Sequence, residues 1–256
     1  MTAAVGHLFS HHASKLRHTW WSALVSGLGS PTFFLLAIGI GLGSQISDAD
    51  QAGLGTETYL AFIGPGLLAT NAMMISATEG MWPTLALLQW QGVYRAILTT
   101  PMTAAELAIG HTLWIGVRAT VAATLYLVVL VLFGVINSWL ALFIPFAAYL
   151  IGVAHAAPLV GVSAHLLQDG IYAMVNRAII FPMFMFSGAF FPVSDMPTVA
   201  AWAARLLPVW HGVELCRSLA LGSADANDLI HVAYLLVFSA LGMWFAVFRF
   251  RKHVTP

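Results

Sequence analysis

Charged side chains are scarce in this sequence. They make up 8% of its 256 residues, whereas hydrophobic residues make up 60%. A soluble domain carries about 25% charged residues. So few charges cannot cover a surface that faces water, and we therefore predict that lipid surrounds much of the chain. The formal net charge is zero, so no basic surface for nucleic acid is expected.

Lysine and cysteine are rarer still. Lysine occurs only at Lys15 and Lys252. The phosphate-binding P-loop needs Gly-x-x-x-x-Gly-Lys-Ser/Thr, and Leu16 and His253 follow the two lysines instead. This sequence therefore contains no P-loop through which it could bind ATP. The single cysteine, Cys216, has no partner for an internal disulfide.

Long apolar runs fill most of the sequence. A membrane-spanning helix needs about 20 mostly apolar residues. Six runs of this kind predict six spans, at residues 21–43, 59–82, 104–133, 139–166, 171–191 and 229–248. The second span is expected to end at Pro83. We find no internal repeat, and we predict a single all-α transmembrane domain over residues 1–256.

Positive residues are distributed unevenly between the predicted loops. With the N-terminus in the cytoplasm, the same side holds Lys15, Arg17, Arg95, Arg249, Arg251 and Lys252. Short cytoplasmic loops of membrane proteins carry an excess of lysine and arginine. We therefore predict a multi-pass protein of the cell membrane with both termini in the cytoplasm.

Two segments are neither spans nor ordinary loops. Apolar and polar residues alternate at helical spacing over residues 1–20, which predicts an amphipathic helix lying in the membrane interface. Residues 192–224 are too apolar for a solvated loop, and Pro192, Pro197 and Pro208 cut them into pieces too short to cross. We predict short re-entrant helices there, dipping into the outer leaflet.

The loop between the second and third predicted spans has a helical pattern of its own. An apolar stripe consists of Leu87, Trp90, Tyr94, Ile97 and Leu98, and the polar residues Gln91, Arg95 and Thr99 fall opposite it. This pattern predicts a short cytoplasmic helix within residues 84–100. Local signals alone leave two interpretations open, a helix that rests on the membrane and a helix that docks onto a partner.

The start of the third span carries a stronger local signal. Thr103 and Glu106 have the spacing of a capping box, in which each side chain binds the other residue's backbone N–H. Met102 and Leu107 are placed as the accompanying hydrophobic staple. The sequence thus predicts that the third span begins at a firmly fixed point.

Three stretches resemble the membrane subunits of type-2 ATP-binding-cassette exporters, most closely the permeases for nodulation factors and for daunorubicin resistance. They are YLAFIGPGLLATNAM, LTTPMTAAELAIG and FPMFMFSGAFFPVSDMPTVAAWAARLLPVWHGVELCRSLALG. In the third stretch, the family's signature order is followed by Ser187, Gly188, Ala189, Phe191, Pro192, Pro208, His211 and Arg217. With the six-span layout, the resemblance covers nearly the whole chain.

The resemblance implies a function for the loop helix. In such exporters two permeases, identical or related, each bind a separate ATPase subunit that holds ATP and Mg²⁺. The loop between spans two and three acts as a coupling helix in a groove of that ATPase. We therefore assign ATPase coupling to Trp90, Gln91, Tyr94 and Arg95. No cofactor is expected in this chain itself, and no catalytic residues can be assigned.

The substrate pathway is expected between spans one, two and five. Its candidate residues are apolar, aromatic or uncharged: Asn71, Met74, Phe184, Met185, Phe186, Phe190 and Phe191. Such a lining favours an amphipathic or hydrophobic substrate, such as a drug, lipid or glycolipid. Membrane lipid is therefore a further expected partner.

Ionisable residues at membrane depth leave alternatives open. Glu79, Glu106 and Arg118 fall within predicted spans, either as structural ion pairs or as part of a relay. A relay would suit a proton-coupled secondary transporter, but such folds often show inverted repeats that we do not find. An intramembrane lipid-modifying enzyme would need polar catalytic groups gathered at one depth. His7 and His11 lack further ligands to complete a zinc site, so no metal is expected.

Overall fold

The computed structural model of the chain describes residues 6, 21, 29, 32–37, 58–164 and 170–254. All regular elements within these ranges are helices, which confirms an all-α fold for the described part of the chain. The predicted interface helix over residues 1–20, with His7 and His11, lies outside the described residues. So does most of the first predicted span, of which residues 32–36 are helical.

Residues 58–164 and 170–254 contain nine α-helical pieces. They are α1 (Tyr59–Leu85), α2 (Val93–Ile97), α3 (Ala104–Leu132), α4 (Ile144–Ser163), α5 (Gly170–Val175), α6 (Phe181–Met185), α7 (Thr198–Arg205), α8 (Pro208–Leu221) and α9 (Asp228–His253). Two π-helical segments, Ala86–Trp90 and Asn176–Ile180, extend α1 and join α5 to α6. Two 3₁₀ segments, Trp139–Phe143 and Val193–Asp195, precede α4 and α7.

Four helical stretches are long and apolar enough to cross a membrane. They are Tyr59–Trp90, Ala104–Leu132, Trp139–Ser163 and Asp228–His253. They correspond to the second, third, fourth and sixth predicted spans. The chain is thus a multi-pass membrane protein.

The fifth predicted span, 171–191, is wrong in its extent. The apolar helical stretch runs over Ile171–Met185 and measures about 22 Å at 1.5 Å per residue. The hydrocarbon core of a bilayer is about 30 Å thick. The helix ends because the chain turns at Ser187 and Gly188, where Gly188 adopts a φ of +78°. Phe190 and Phe191 therefore lie in this turn and not on a helix.

The predicted end of the second span at Pro83 is also wrong. Pro83 lies inside α1, which continues as a π-helix to Trp90. A proline has no N–H to donate to the carbonyl four residues earlier, which here belongs to Glu79. The Thr84 hydroxyl donates to this Glu79 carbonyl at 3.0 Å. A side chain thus satisfies the carbonyl that proline leaves unpaired, and the helix continues.

The centre of the bundle is α4, which packs against α1, α3, α8 and α9. At its crossing with α3, a Cβ added to Gly152 would lie 2.9 Å from the Ala119 Cβ and 3.2 Å from the Gly116 Cα. Small residues let membrane helices approach this closely. Farther along α4, the Ser163 hydroxyl donates to the Gly80 carbonyl of α1 at 2.9 Å. α4 is therefore held close to both α1 and α3.

Candidate coupling and transport site

The segment between α1 and α3 is not the single helix predicted for residues 84–100. Gly92 adopts a φ of +65°, a left-handed conformation that ends the π-helical extension of α1. The chain then forms the five-residue helix α2 and reaches α3 through a turn. Because of this break, Trp90 and Tyr94 do not share one face. Trp90 is 53% exposed, whereas Tyr94 is 1% exposed.

Buried Tyr94 is the start of a hydrogen-bonded chain through the bundle. Its hydroxyl lies 2.6 Å from Nδ1 of His111 on α3. Nε2 of His111 lies 2.7 Å from the Thr84 hydroxyl, which in turn donates to the Glu79 carbonyl on α1. Burial raises the pKa of Tyr94 well above its ordinary value, so the phenol keeps its proton. These hydrogen bonds connect the segment that contains α2 to both α3 and α1.

His111 and Thr84 are functional candidates that the sequence analysis missed. Both are buried polar residues inside apolar helices. Buried polar groups in proteins are almost always hydrogen-bonded. The imidazole of His111 within an apolar run was therefore a signal that some partner must approach it, although the sequence does not show which one.

The other predicted coupling residues lie on the surface. Trp90, Gln91 and Arg95 are exposed around the Gly92 break. The Trp90 ring packs edge-on against the Trp82 ring, with 4.8 Å between their centroids. The three exposed side chains form one face with an aromatic ring, an amide and a cation. We call Trp90, Gln91 and Arg95 the coupling face.

The predicted capping box at the start of α3 is confirmed. Glu106 Oε2 accepts from the Thr103 backbone N–H at 2.9 Å, and the Thr103 hydroxyl accepts from the Glu106 N–H at 3.2 Å. Met102 and Leu107 belong to one apolar cluster with Tyr94. The first turn of α3 is therefore held by its cap, and a displacement of α2 would be transmitted to α3 as a whole.

The ionisable residues within the spans separate into two groups. Arg118 Nη1 on α3 lies 3.0 Å from Glu79 Oε1 on α1, so these two form an ion pair between spans. Glu106 is engaged in its capping box and takes no part in this pair. The geometry favours the structural alternative for Glu79 and Arg118.

Part of the predicted substrate pathway surrounds a cavity of about 200 Å³. Its lining contains the predicted residues Asn71, Met74 and Phe184, together with Tyr126 of α3. Phe190 is near this lining, since its ring meets that of Phe184 edge-on at 5.1 Å. The cavity also touches Phe34, within the first predicted span. It thus lies between the segments expected to line the pathway.

The remaining predicted pathway residues do not line this cavity. Phe186 and Phe191 are 47% and 43% exposed, and Met185 is half-buried. Their assignment to the pathway stays a prediction.

Residues 192–224 contain the two short helices that the sequence predicts, α7 and α8. The depth at which they lie in a membrane stays a prediction. Burial of His211 in α8, and secondarily the nearness of His231, lowers the pKa of His211 to about 4, so its ring is neutral at neutral pH. Its Nδ1 lies 2.8 Å from the Nδ1 of His231 on α9. This hydrogen bond connects α8 to α9.

Arg217 of α8 connects three parts of the chain. Its Nη2 donates to the Gly188 carbonyl at 2.8 Å, and its Nε donates to the Phe62 carbonyl of α1 at 3.3 Å. Its Nη1 forms an ion pair with Glu214 at 2.8 Å. The guanidinium also lies 3.9 Å from the centroid of the Phe62 ring. The residue therefore fixes the turn after α6 against α1 and α8.

Comparison with known proteins places this architecture in a family. The chain is 28% identical over 237 residues to Nodulation protein J of Rhizobium meliloti (strain 1021), covering 92% of this chain and 88% of that protein. It is also 28% identical over 218 residues to Nodulation protein J of Rhizobium leguminosarum bv. viciae, covering 85% and 82%. The family profile described as ABC-2 type transporter matches residues 7–221, most of the sequence. The chain belongs to the ABC-2 type transporter family.

Proposed function

We propose that this chain is the transmembrane subunit of an exporter that is driven by a separate ATPase subunit. The family match supports a permease role, and this sequence contains no P-loop. ATP and Mg²⁺ would be held by the ATPase. Two permeases, identical or related, form the working unit in the cell membrane, with both termini of this chain in the cytoplasm.

The observation that carries the proposal is the connection behind the coupling face. Trp90, Gln91 and Arg95 are exposed, as a docking surface requires. Tyr94, two residues after the Gly92 break, is hydrogen-bonded to His111 on α3 and through it to Thr84 on α1. A partner that binds the exposed residues thereby acts on two spans.

This connection supports the following mechanism. Closure of the ATPase subunits on ATP displaces the coupling face. The hydrogen-bonded chain and the capped start of α3 carry the displacement into α1 and α3. Those two helices contribute Asn71, Met74 and Tyr126 to the cavity. Their movement therefore changes the cavity that lies between them.

The cavity lining supports a proposal for the substrate class. Its residues are apolar and aromatic, with the Asn71 amide and the hydroxyls of Thr70 and Tyr126 as polar groups. Sites for drug-sized ligands span about 300–1,000 Å³. A cavity of about 200 Å³ must therefore widen during transport. We propose an amphipathic substrate, such as a drug, lipid or glycolipid.

A paired substitution tests the docking step. Trp90→Ala with Arg95→Ala removes the exposed aromatic ring and the cation from the coupling face. We expect the variant to insert normally but to lose co-purification of a P-loop ATPase and its ATP hydrolysis, because docking interfaces depend on a few aromatic and arginine anchors.

The chain offers a matched control. Trp202 and Arg205 of α7 are an exposed tryptophan–arginine pair, with the guanidinium 5.7 Å from the ring centroid. Replacing both with alanine removes the same chemistry from the predicted exterior end. The control should keep the ATPase. Full ATPase capture by the Trp90/Arg95 variant would refute the proposed docking face.

A further inference from the structure

A second cavity, of about 390 Å³, borders the segment between α1 and α3, which we call the coupling segment. Leu88 and Leu98 contribute apolar walls from the coupling segment, and Ala164 and Val254 contribute them from the ends of α4 and α9. These walls continue the apolar cluster around Tyr94 and Phe250. The volume falls within the range of about 300–1,000 Å³ that small-molecule sites occupy.

The polar part of this cavity favours an anion. Arg95 and His253 belong to its lining, together with the neutral groups of Gln89 and Thr99. No carboxylate occurs among the described residues that line it. The last turn of α9 also carries Arg251 and Lys252, which adds positive charge beside the cavity. A cationic rim over apolar walls matches a ligand with an anionic head and an apolar body.

We propose that this cavity binds the phosphate headgroup of an anionic phospholipid. Arg95 pairs with the phosphate, and the first part of the acyl chains lies along Leu88 and Leu98. Basic pockets between spans on the cytoplasmic side of membrane proteins bind anionic headgroups in this way. The inference rests on the proposed function through the cytoplasmic placement of this end of the bundle, and its cavity shares Arg95 with the coupling face.

Lipid binding can be measured on the full chain without the ATPase. The chain in neutral detergent is titrated with phosphatidylglycerol or with phosphatidylcholine of the same acyl chains, and bound lipid is counted by native mass spectrometry. The chain should prefer phosphatidylglycerol. Arg95→Gln should weaken that preference about fivefold, since one basic residue near a lipid phosphate contributes about 1 kcal/mol. The exposed Arg205→Gln is the matched control and should change nothing.

Three outcomes would overturn the assignment. Equal binding of the two lipids, or an unchanged preference in Arg95→Gln, would show that the cavity selects no anionic head. Release of phosphatidylglycerol by excess inorganic phosphate would identify a phosphate-ion site.

Trp90 separates this inference from the proposed function. It is outside the cavity lining but belongs to the coupling face. Trp90→Ala should therefore lose ATPase capture and keep the preference for phosphatidylglycerol. Loss of that preference in Trp90→Ala would contradict the lipid site while leaving the docking face in place.

Discussion

At the residue scale, Arg217 shows how one side chain can organise the end of a membrane bundle. It is 9% exposed, and its guanidinium satisfies two backbone carbonyls from distant parts of the chain. Burial lowers the pKa of Arg217, against the opposing effect of the nearby Glu214. The planar guanidinium group of arginine can donate to several acceptors in different directions at once. The compact ammonium group of lysine cannot reach the same set of acceptors.

Arg217→Lys is therefore expected to destabilise the protein although the charge is kept. The carbonyl of Gly188 or of Phe62 would lose its donor, and a buried acceptor without a partner costs about 1–3 kcal/mol. The measurement is thermal unfolding of the detergent-solubilised protein by circular dichroism. Arg205→Lys, at an exposed position, is the control. An equal melting temperature for Arg217→Lys and the parent would contradict the proposed role.

Residue-level prediction succeeded where the interaction is local. The Thr103–Glu106 capping box spans three residues and could be read directly from the sequence. The contact between Tyr94 and His111 spans seventeen residues and depends on the chain reversal between them. A helical stripe assigned Tyr94 to the same surface as Trp90, because nothing in the stripe reveals that Gly92 turns left-handed.

At the element scale, the break at Gly92 decides what the coupling segment exposes. No atom would meet a Cβ added at Gly92, so a substitution there acts through backbone conformation alone. The same is true of Gly134, after α3, with a φ of +69°. The two glycines form a natural pair for comparison.

Gly92→Ala and Gly134→Ala should each cost about 1–2 kcal/mol of stability, because a left-handed backbone is disfavoured for alanine. Only Gly92→Ala should also weaken ATPase capture, since it alone alters the turn between Trp90 and Tyr94. Thermal unfolding and co-purification with the ATPase measure the two effects separately. Equal loss of capture in both variants would mean that general destabilisation, and not the turn, is responsible.

Prediction of whole elements succeeded for long apolar runs and failed at their ends. The span that starts at Tyr59 was predicted to stop at Pro83, but the Thr84 hydroxyl satisfies the freed carbonyl and the helix reaches Trp90. The fifth predicted span was too long because the apolar composition continues beyond Met185. The helix ends at Met185, and the chain turns at Gly188. Composition locates apolar segments, whereas side-chain hydrogen bonds and single glycines set their boundaries.

At the scale of the whole molecule, the described spans form one connected bundle with functional candidates at separate places. α4 holds α1, α3 and α9 together. The coupling face adjoins Tyr94, whose hydrogen bonds lead to α3 and α1. The cavity lined by Asn71 and Met74 lies along α1. The arrangement suits a permease in which force enters at one place and the pathway responds at another.

The proposed function depends most on the coupling face lying in the cytoplasm and contacting an ATPase. The direct measurement places the photo-crosslinker p-benzoylphenylalanine at position 91, replacing the exposed Gln91, in the full chain in intact cells. Mass spectrometry then identifies the adduct, with the exposed Ala203 of α7 as the control position. We predict an adduct with a P-loop ATPase from position 91 and none from position 203. Adducts from position 91 with extracytoplasmic proteins only, or an ATPase adduct at position 203 instead, would contradict the cytoplasmic docking of an ATPase on the coupling face.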